Sequence, residues 1–303
     1  MTHLPRIVPE TGDVSYYDEN GLTLASHVPI NYRETNGAIQ EVAPAHPLPV
    51  TAESDELWRI RKGSDSGGII QKFGGRFSLT TSYAPCTTSG VYQTPQVSGA
   101  TALRVKAGDA DDTAAGTGAR EITLQGLDET GTFTQESIAT AGTSASAVTT
   151  TTWLRIFRLW VSASGTYATA TAGSHADEII IETSGGTEWA SIDVTGFPKG
   201  QSQIACYTVP LNRHGYMTHF ALTTNEGKPV DFILFKRENI LETAAPYSAM
   251  RTVVELLGVE NDLARNPKTA YGRFNALTDS GWLAKGGSTP NVTVDFGFVE
   301  YYE

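Results

Sequence analysis

Asp109, Asp111 and Asp112 form the densest acidic cluster in the chain, and three carboxylates in one tight turn would offer several oxygens to a hard cation. The run lacks the spacing of an EF-hand loop and has no Glu at its twelfth position, so a solvated structural turn is the expectation. His214 and His219 stand on either side of Gly215. On a regular strand that spacing sends them to opposite faces, which rules out a shared metal. His3, His27, His46 and His175 have no partner at ligand spacing. Nucleophilic catalysis would want a Gly-x-Ser-x-Gly elbow between a strand and a helix. Ser64-Asp65-Ser66-Gly67 and Gly200-Gln201-Ser202 have no such context. The pairs Gly67-Gly68 and Gly74-Gly75 lack the Lys and helix of a phosphate cradle and read as turns. Glycoside cleavage needs two carboxylates that meet only in the fold; Asp177, Glu178 and Asp193 are the candidates for that alternative. No catalytic residue, cofactor site or metal is assigned from this inventory.

Aromatic and cationic side chains concentrate in Trp153-Leu-Arg-Ile-Phe-Arg-Leu-Trp160. Strict alternation would place Leu154, Ile156, Arg158 and Trp160 on one face and Trp153, Arg155, Phe157 and Leu159 on the other. A strand apolar on both faces is core or interface. Ile156 and Phe157 suit core, whereas a buried Arg needs a carboxylate, so Arg155 and Arg158 suit an interface with Trp160 and Trp282. A carbohydrate-binding surface would use exposed aromatics, with Trp282, Tyr247 and Tyr271 as candidates. Cys86 and Cys206 are far apart in sequence, form no metal spacing and are expected to be free thiols.

The elements that must position these residues are strands. Charged residues make up only 18% of the 303, below the globular norm, and Thr, Ser, Ala and Gly replace them. Thr favours a pleated, half-wet surface, and 3.6-residue periodicity is scarce, so the fold class is mainly β. A net charge of −11 argues against nucleic acid as a partner, which would need clustered Lys and Arg. No apolar run is long enough to predict a membrane span.

Along the chain, residues 1–50 hold six prolines between Pro5 and Pro49 without a sustained period, which predicts an extended N-terminal arm lying on another subunit. Residues 51–98 are a connecting segment: a short helix capped by Thr51 or Ser54, then a strand over Arg76–Thr81. Six short strands with polar turns predict an antiparallel β-sandwich over 99–195. Phe197-Pro-Lys-Gly200 reads as a boundary, and 196–303 as a second, jelly-roll-like sandwich. Within it, Val230–Arg237 is apolar enough for a central strand, and Val292, Val294, Phe296 and Phe298 form a core-facing stripe.

The ordered set Gly116-Thr-Gly-Ala-Arg120, Gly126-Leu-Asp128 and Tyr207-Thr-Val-Pro210 resembles a family of tailed-bacteriophage virion structural proteins. The resemblance covers roughly residues 99–225 and extends faintly to Asn291–Phe296. It implies a non-enzymatic particle component, tail-associated or fibre-like, assembled in the host bacterial cytoplasm. Its partners would be copies of itself in a trimer or ring and other virion proteins. A capsid decoration protein is the close alternative. A carbohydrate-binding module meeting host surface glycan and a polysaccharide depolymerase are the others.

Overall fold

The structure, a computed structural model, describes residues 67–87, 99–169, 173–194, 200–225, 227–265 and 271–302, with the backbone of five short strands nearer the N-terminus. Chain contacts divide it into Met1–Glu56 and Leu57–Glu303. In the first unit, β1 (Pro5–Ile7), β2 (Val14–Tyr17) and β3 (Thr23–Ala25) form an antiparallel meander, and β4 (Asn31–Arg33) pairs with β5 (Ile39–Glu41). The rest of the expected arm, its contact with another chain, the helix after Thr51 and Phe197-Pro-Lys lie outside the described residues.

The second unit is mainly β, with several antiparallel sheets. Its strands are β6 (Gly67–Arg76), β7 (Ala84–Pro85), β8 (Leu103–Ala107), β9 (Ala119–Asp128), β10 (Phe133–Ala139), β11 (Trp153–Ser164), β12 (Ile179–Thr183) and β13 (Glu188–Ile192). They continue as β14 (Cys206–Thr208), β15 (Arg213–Thr224), β16 (Val230–Arg237), β17 (Arg251–Val259), β18 (Asp262–Arg265), β19 (Arg273–Phe274), β20 (Asp279–Lys285) and β21 (Val292–Tyr302). One sheet runs β18-β15-β21-β6 with β19 on β15, and a second runs β14-β20-β16-β17 with β7 on β20. Two three-stranded sheets, β10-β9-β11 and β13-β12-β8, complete the unit.

The middle sheet is covered on both faces. Phe232 and Leu234 of β16 and Trp282 and Ala284 of β20 enter one core with Met217, Phe220, Val294, Phe296 and Phe298 of the outer sheet. Phe235, Ile233 and Leu283, on the opposite face, pack into a second core with Leu103, Ile122, Leu124, Ile179 and Ile181 of the small sheets. This two-sided burial is why Val230–Arg237 is nearly continuous apolar sequence. The stripe Val292, Val294, Phe296 and Phe298 is buried, as its period of two predicts, while Thr293 and Asp295 face out.

Three expectations are corrected by the register. First, the strand near residue 76 is β6, which ends where Arg76–Thr81 was expected to begin. Its glycine pairs are not turns: a Cβ on Gly74 would collide with the backbone of Ala205 and Cys86, and one on Gly75 with the Val292 carbonyl. Close backbone approach, not chain reversal, requires glycine there. β6 pairs along β21, so part of the expected connecting segment belongs to the same sheet as the C-terminal strand.

Second, β11 does not alternate strictly. Register shifts against β9 between Trp153 and Arg155 and between Ile156 and Arg158 insert extra residues at Leu154 and Phe157. Trp153, Ile156 and Leu159 therefore enter one core, and Leu154 and Phe157 the other. Third, a bulge between Met217 and His219 restores parity along β15, so His214 opposite Tyr301 and His219 opposite Gly297 share the outer face. Those partners are four residues apart, roughly 13 Å along a strand, still too far for one metal.

Candidate functional site

Four polar or aromatic side chains meet where the sheet β10-β9-β11 is extended at its β11 edge. Residues 200–202 lie alongside that edge: Val161 N–H donates to Gly200 O at 2.8 Å and Ser202 N–H to Leu159 O at 2.9 Å. Trp160 and Gln201 form an antiparallel bridge there, and Gln125 of β9 lies opposite Arg158. The result is an open cleft of about 380 Å³ lined by Gln125, Arg158, Trp160, Val161, Gly200 and Gln201. The bulge at Phe157 turns Arg158 and Trp160 towards this cleft while Phe157 itself goes into the core.

Arg158 is half-buried. Its Nη2 donates to Gln71 O at 3.1 Å, and its guanidinium lies 5.4 Å from the centre of the Phe73 ring. Among the described residues no carboxylate forms an ion pair with it. Behind it, Lys72 is buried, donates from Nζ to the Phe157 carbonyl and lies 5.8 Å from the Phe157 ring centre. Burial first, and the nearby Arg158 charge second, bring Lys72 down to about 7. Arg158 thus brings a cationic side chain to the cleft in a protein of net charge −11.

Lys72 predicts a pH dependence. The folded form releases this proton near pH 7 and the unfolded chain near 10.5, so between those values the folded state binds fewer protons and stability from this group rises with pH. The stability of Lys72→Met minus that of the parent should fall across that window, by up to about 1.4 kcal/mol per pH unit. Urea melts at a series of pH values measure it; a constant difference would contradict a buried, near-neutral lysine.

The other candidate residues go elsewhere. Arg155 is not at a surface: its Nε and Nη2 donate to Asp279 Oδ1 and Oδ2 at 3.1 and 3.0 Å, with both residues buried. Thr208 donates to the same carboxylate at 2.7 Å, and Arg237 Nη1 stands 3.8 Å from it. Asp279 is the partner a buried Arg155 demands. Trp282 is also wholly buried, 4.7 Å from Phe220, so it reaches neither neighbour nor sugar. Tyr271 packs on Phe220 at 5.5 Å. Tyr247 is half-buried on a loop. Of the four expected interface residues, only Arg158 and Trp160 come together near solvent.

The acidic turn is an anchor. Asp112 is buried and accepts the backbone N–H groups of Ala119, Ala176 and Asp177 at 2.7 to 3.0 Å. Asp109 accepts from Asp111 N–H, and Tyr167 donates to Asp111. A Cβ on Gly118 would strike the Asp112 carboxylate, one on Gly116 the Asp111 carbonyl, and one on Gly126 the Arg155 carbonyl. The glycines of Gly-Thr-Gly-Ala-Arg and Gly-Leu-Asp are there for packing. Glu178 accepts from Ser191, and Asp177 accepts the Glu178 N–H, which gives both carboxylates structural partners. Ser202 is buried and accepts the Leu159 N–H. Ser64, Asp65 and Ser66 lie outside the described residues.

A second polar cluster joins Tyr207, Arg213 and Glu300. Tyr207 donates to Glu300 at 2.7 Å and Arg213 at 3.0 Å, and burial raises both the Glu300 carboxyl and the Tyr207 phenol. Cys86 and Cys206 are free and buried; burial raises both thiols, Cys206 to about 12.

No family model matches this chain. No curated protein matches it either. Among solved structures, one of the infectious bursal disease virus Gt strain aligns at 9% identity over 78% of each chain with a TM-score of 0.14. The VP2 subviral particle of the same virus aligns at 7% identity over 79% of this chain and 77% of that one, with a TM-score of 0.15. Scores this low establish no common fold. No helix among the described residues is long and apolar enough to cross a membrane.

Proposed function

We propose that this chain is a structural subunit of a tailed-bacteriophage virion, tail-associated or fibre-like, that works through interfaces with copies of itself and other virion proteins. The resemblance carried by the ordered motifs supports this reading, and Gly116, Gly118 and Gly126 within them serve backbone packing. We read the two five-stranded sheets as a jelly-roll-like sandwich and the 99–194 strands as a smaller one docked on it. Buried free thiols suit assembly in a reducing host cytoplasm.

The observation that carries the proposal is the edge strand β17. Among the described residues it pairs only with β16, and it and its flank expose Leu257 at 67% and Met250 at 52%. A nine-residue edge with large apolar side chains in water is a liability for a lone subunit and a seam for an assembled one. Register shifts against β16 kink it, which restricts pairing to a partner of matching shape.

The test is the mass of the full-length protein by light scattering after gel filtration. A trimer or closed ring is expected. Leu257→Lys should shift it to monomer with little effect on melting, because the side chain is exposed. A monomeric parent protein, or a variant as oligomeric as the parent, would contradict the proposed seam.

A further inference from the structure

We infer that the cleft between Arg158, Trp160, Gln125 and Gln201 is a binding site for an acidic saccharide, one bearing carboxylates on its sugar rings. The inference stands apart from the assembly reading and requires no particular location on a particle.

Four features of the cleft point to this ligand. Trp160 is half-buried at the cleft wall, as an indole that offers a ring face to a sugar would be, being apolar in body with a polar tip. Gln125 and Gln201 bring carboxamides, each with donors and an acceptor, which suit the paired donor and acceptor character of sugar hydroxyls. Arg158 supplies a planar fork that matches a carboxylate, and no carboxylate among the described residues forms an ion pair with it.

The fourth feature is rigidity. Gln125, Arg158 and Trp160 sit on paired strands, and Gln201 is bridged to Trp160, so the groups are fixed before a ligand arrives. Preorganisation of this kind lowers the ordering cost of binding. An acidic partner protein is less well matched: the cleft, at about 380 Å³, has the volume of a small-molecule site and is lined by single polar groups.

Isothermal titration of the full-length protein with hexagalacturonate, and with the same oligomer fully methyl-esterified, tests the inference. The ester keeps the sugar rings and removes the charge. The acid should bind, and the ester should bind at least roughly tenfold more weakly, the loss of one charge-assisted contact. Arg158→Gln should weaken acid binding by a similar factor and leave ester binding unchanged, and Trp160→Ala should weaken both. Because the ester comparison uses the unaltered protein, it holds even if a variant fails to fold. Equal binding of acid and ester, no binding of either at millimolar concentration, or acid binding unaffected in folded Arg158→Gln would overturn it.

Discussion

Asp279→Ala should destabilise the 57–303 unit by about 3–5 kcal/mol, the range for removing one partner of a buried ion pair. The carboxylate is wholly buried, takes two hydrogen bonds from Arg155 and one from Thr208, and lies near Arg237. Alanine would leave two guanidinium groups in the interior without their central anion. Arg155 comes from β11 of the small sheets and Asp279 from β20 of the middle sheet, so the pair ties the two sheet systems together. Replacing both residues, as Arg155→Met with Asp279→Leu, should recover most of the loss, since apolar substitutes remove the desolvation cost with the attraction. Urea unfolding of the three proteins measures this. A loss below about 1 kcal/mol for Asp279→Ala would place it among ordinary surface substitutions and refute the tie.

Phe296→Ala should cost a similar amount, about 3–5 kcal/mol, through lost burial and the cavity left behind. The ring is fully buried, 5.8 Å from Phe298, on a strand paired along both edges with β15 and β6. Single domains hold only about 5–15 kcal/mol in total, so the variant should be partly unfolded near physiological temperature. On the opposite face, Thr293→Ala should leave the melting curve nearly unchanged. Thermal unfolding of both variants checks the contrast; a mild effect at Phe296 would show that the core yields to fill the space.

Much of the β-architecture was legible because burial writes itself into period and composition. Val230–Arg237 is apolar on both faces because both faces are covered, and β16 has those bounds. β21 alternates because only one face of its first half is covered. What sequence could not supply were the departures from period. Bulges at Leu154, Phe157 and Thr218 re-aim the side chains after them, and nothing in those residue types marks an inserted position. That is why Ile156 was expected beside Leu154 yet packs in the other core, and why the two histidines were expected on opposite faces.

β20 was missed altogether. Asp279-Ser-Gly at its start and Lys285-Gly-Gly at its end look like turns, and a buried Asp is unexpected until Arg155 is seen beside it. Gly281 is needed because a Cβ would collide with Cys206 across the strand pair. The candidate cleft was half legible. Arg158 and Trp160 stood out by type, but Gln125 and Gln201 reach them only through strand pairing across distant sequence.

The central claim is that the chain is a virion subunit, and its location in particles tests that most directly. If that reading holds, electron cryomicroscopy of virus particles purified from a culture that produces this protein should show the middle and outer sheets at symmetry-related positions, with β17 against a neighbouring subunit. Particles whose maps contain no density for this fold, with the protein found only in the soluble lysate, would contradict the account.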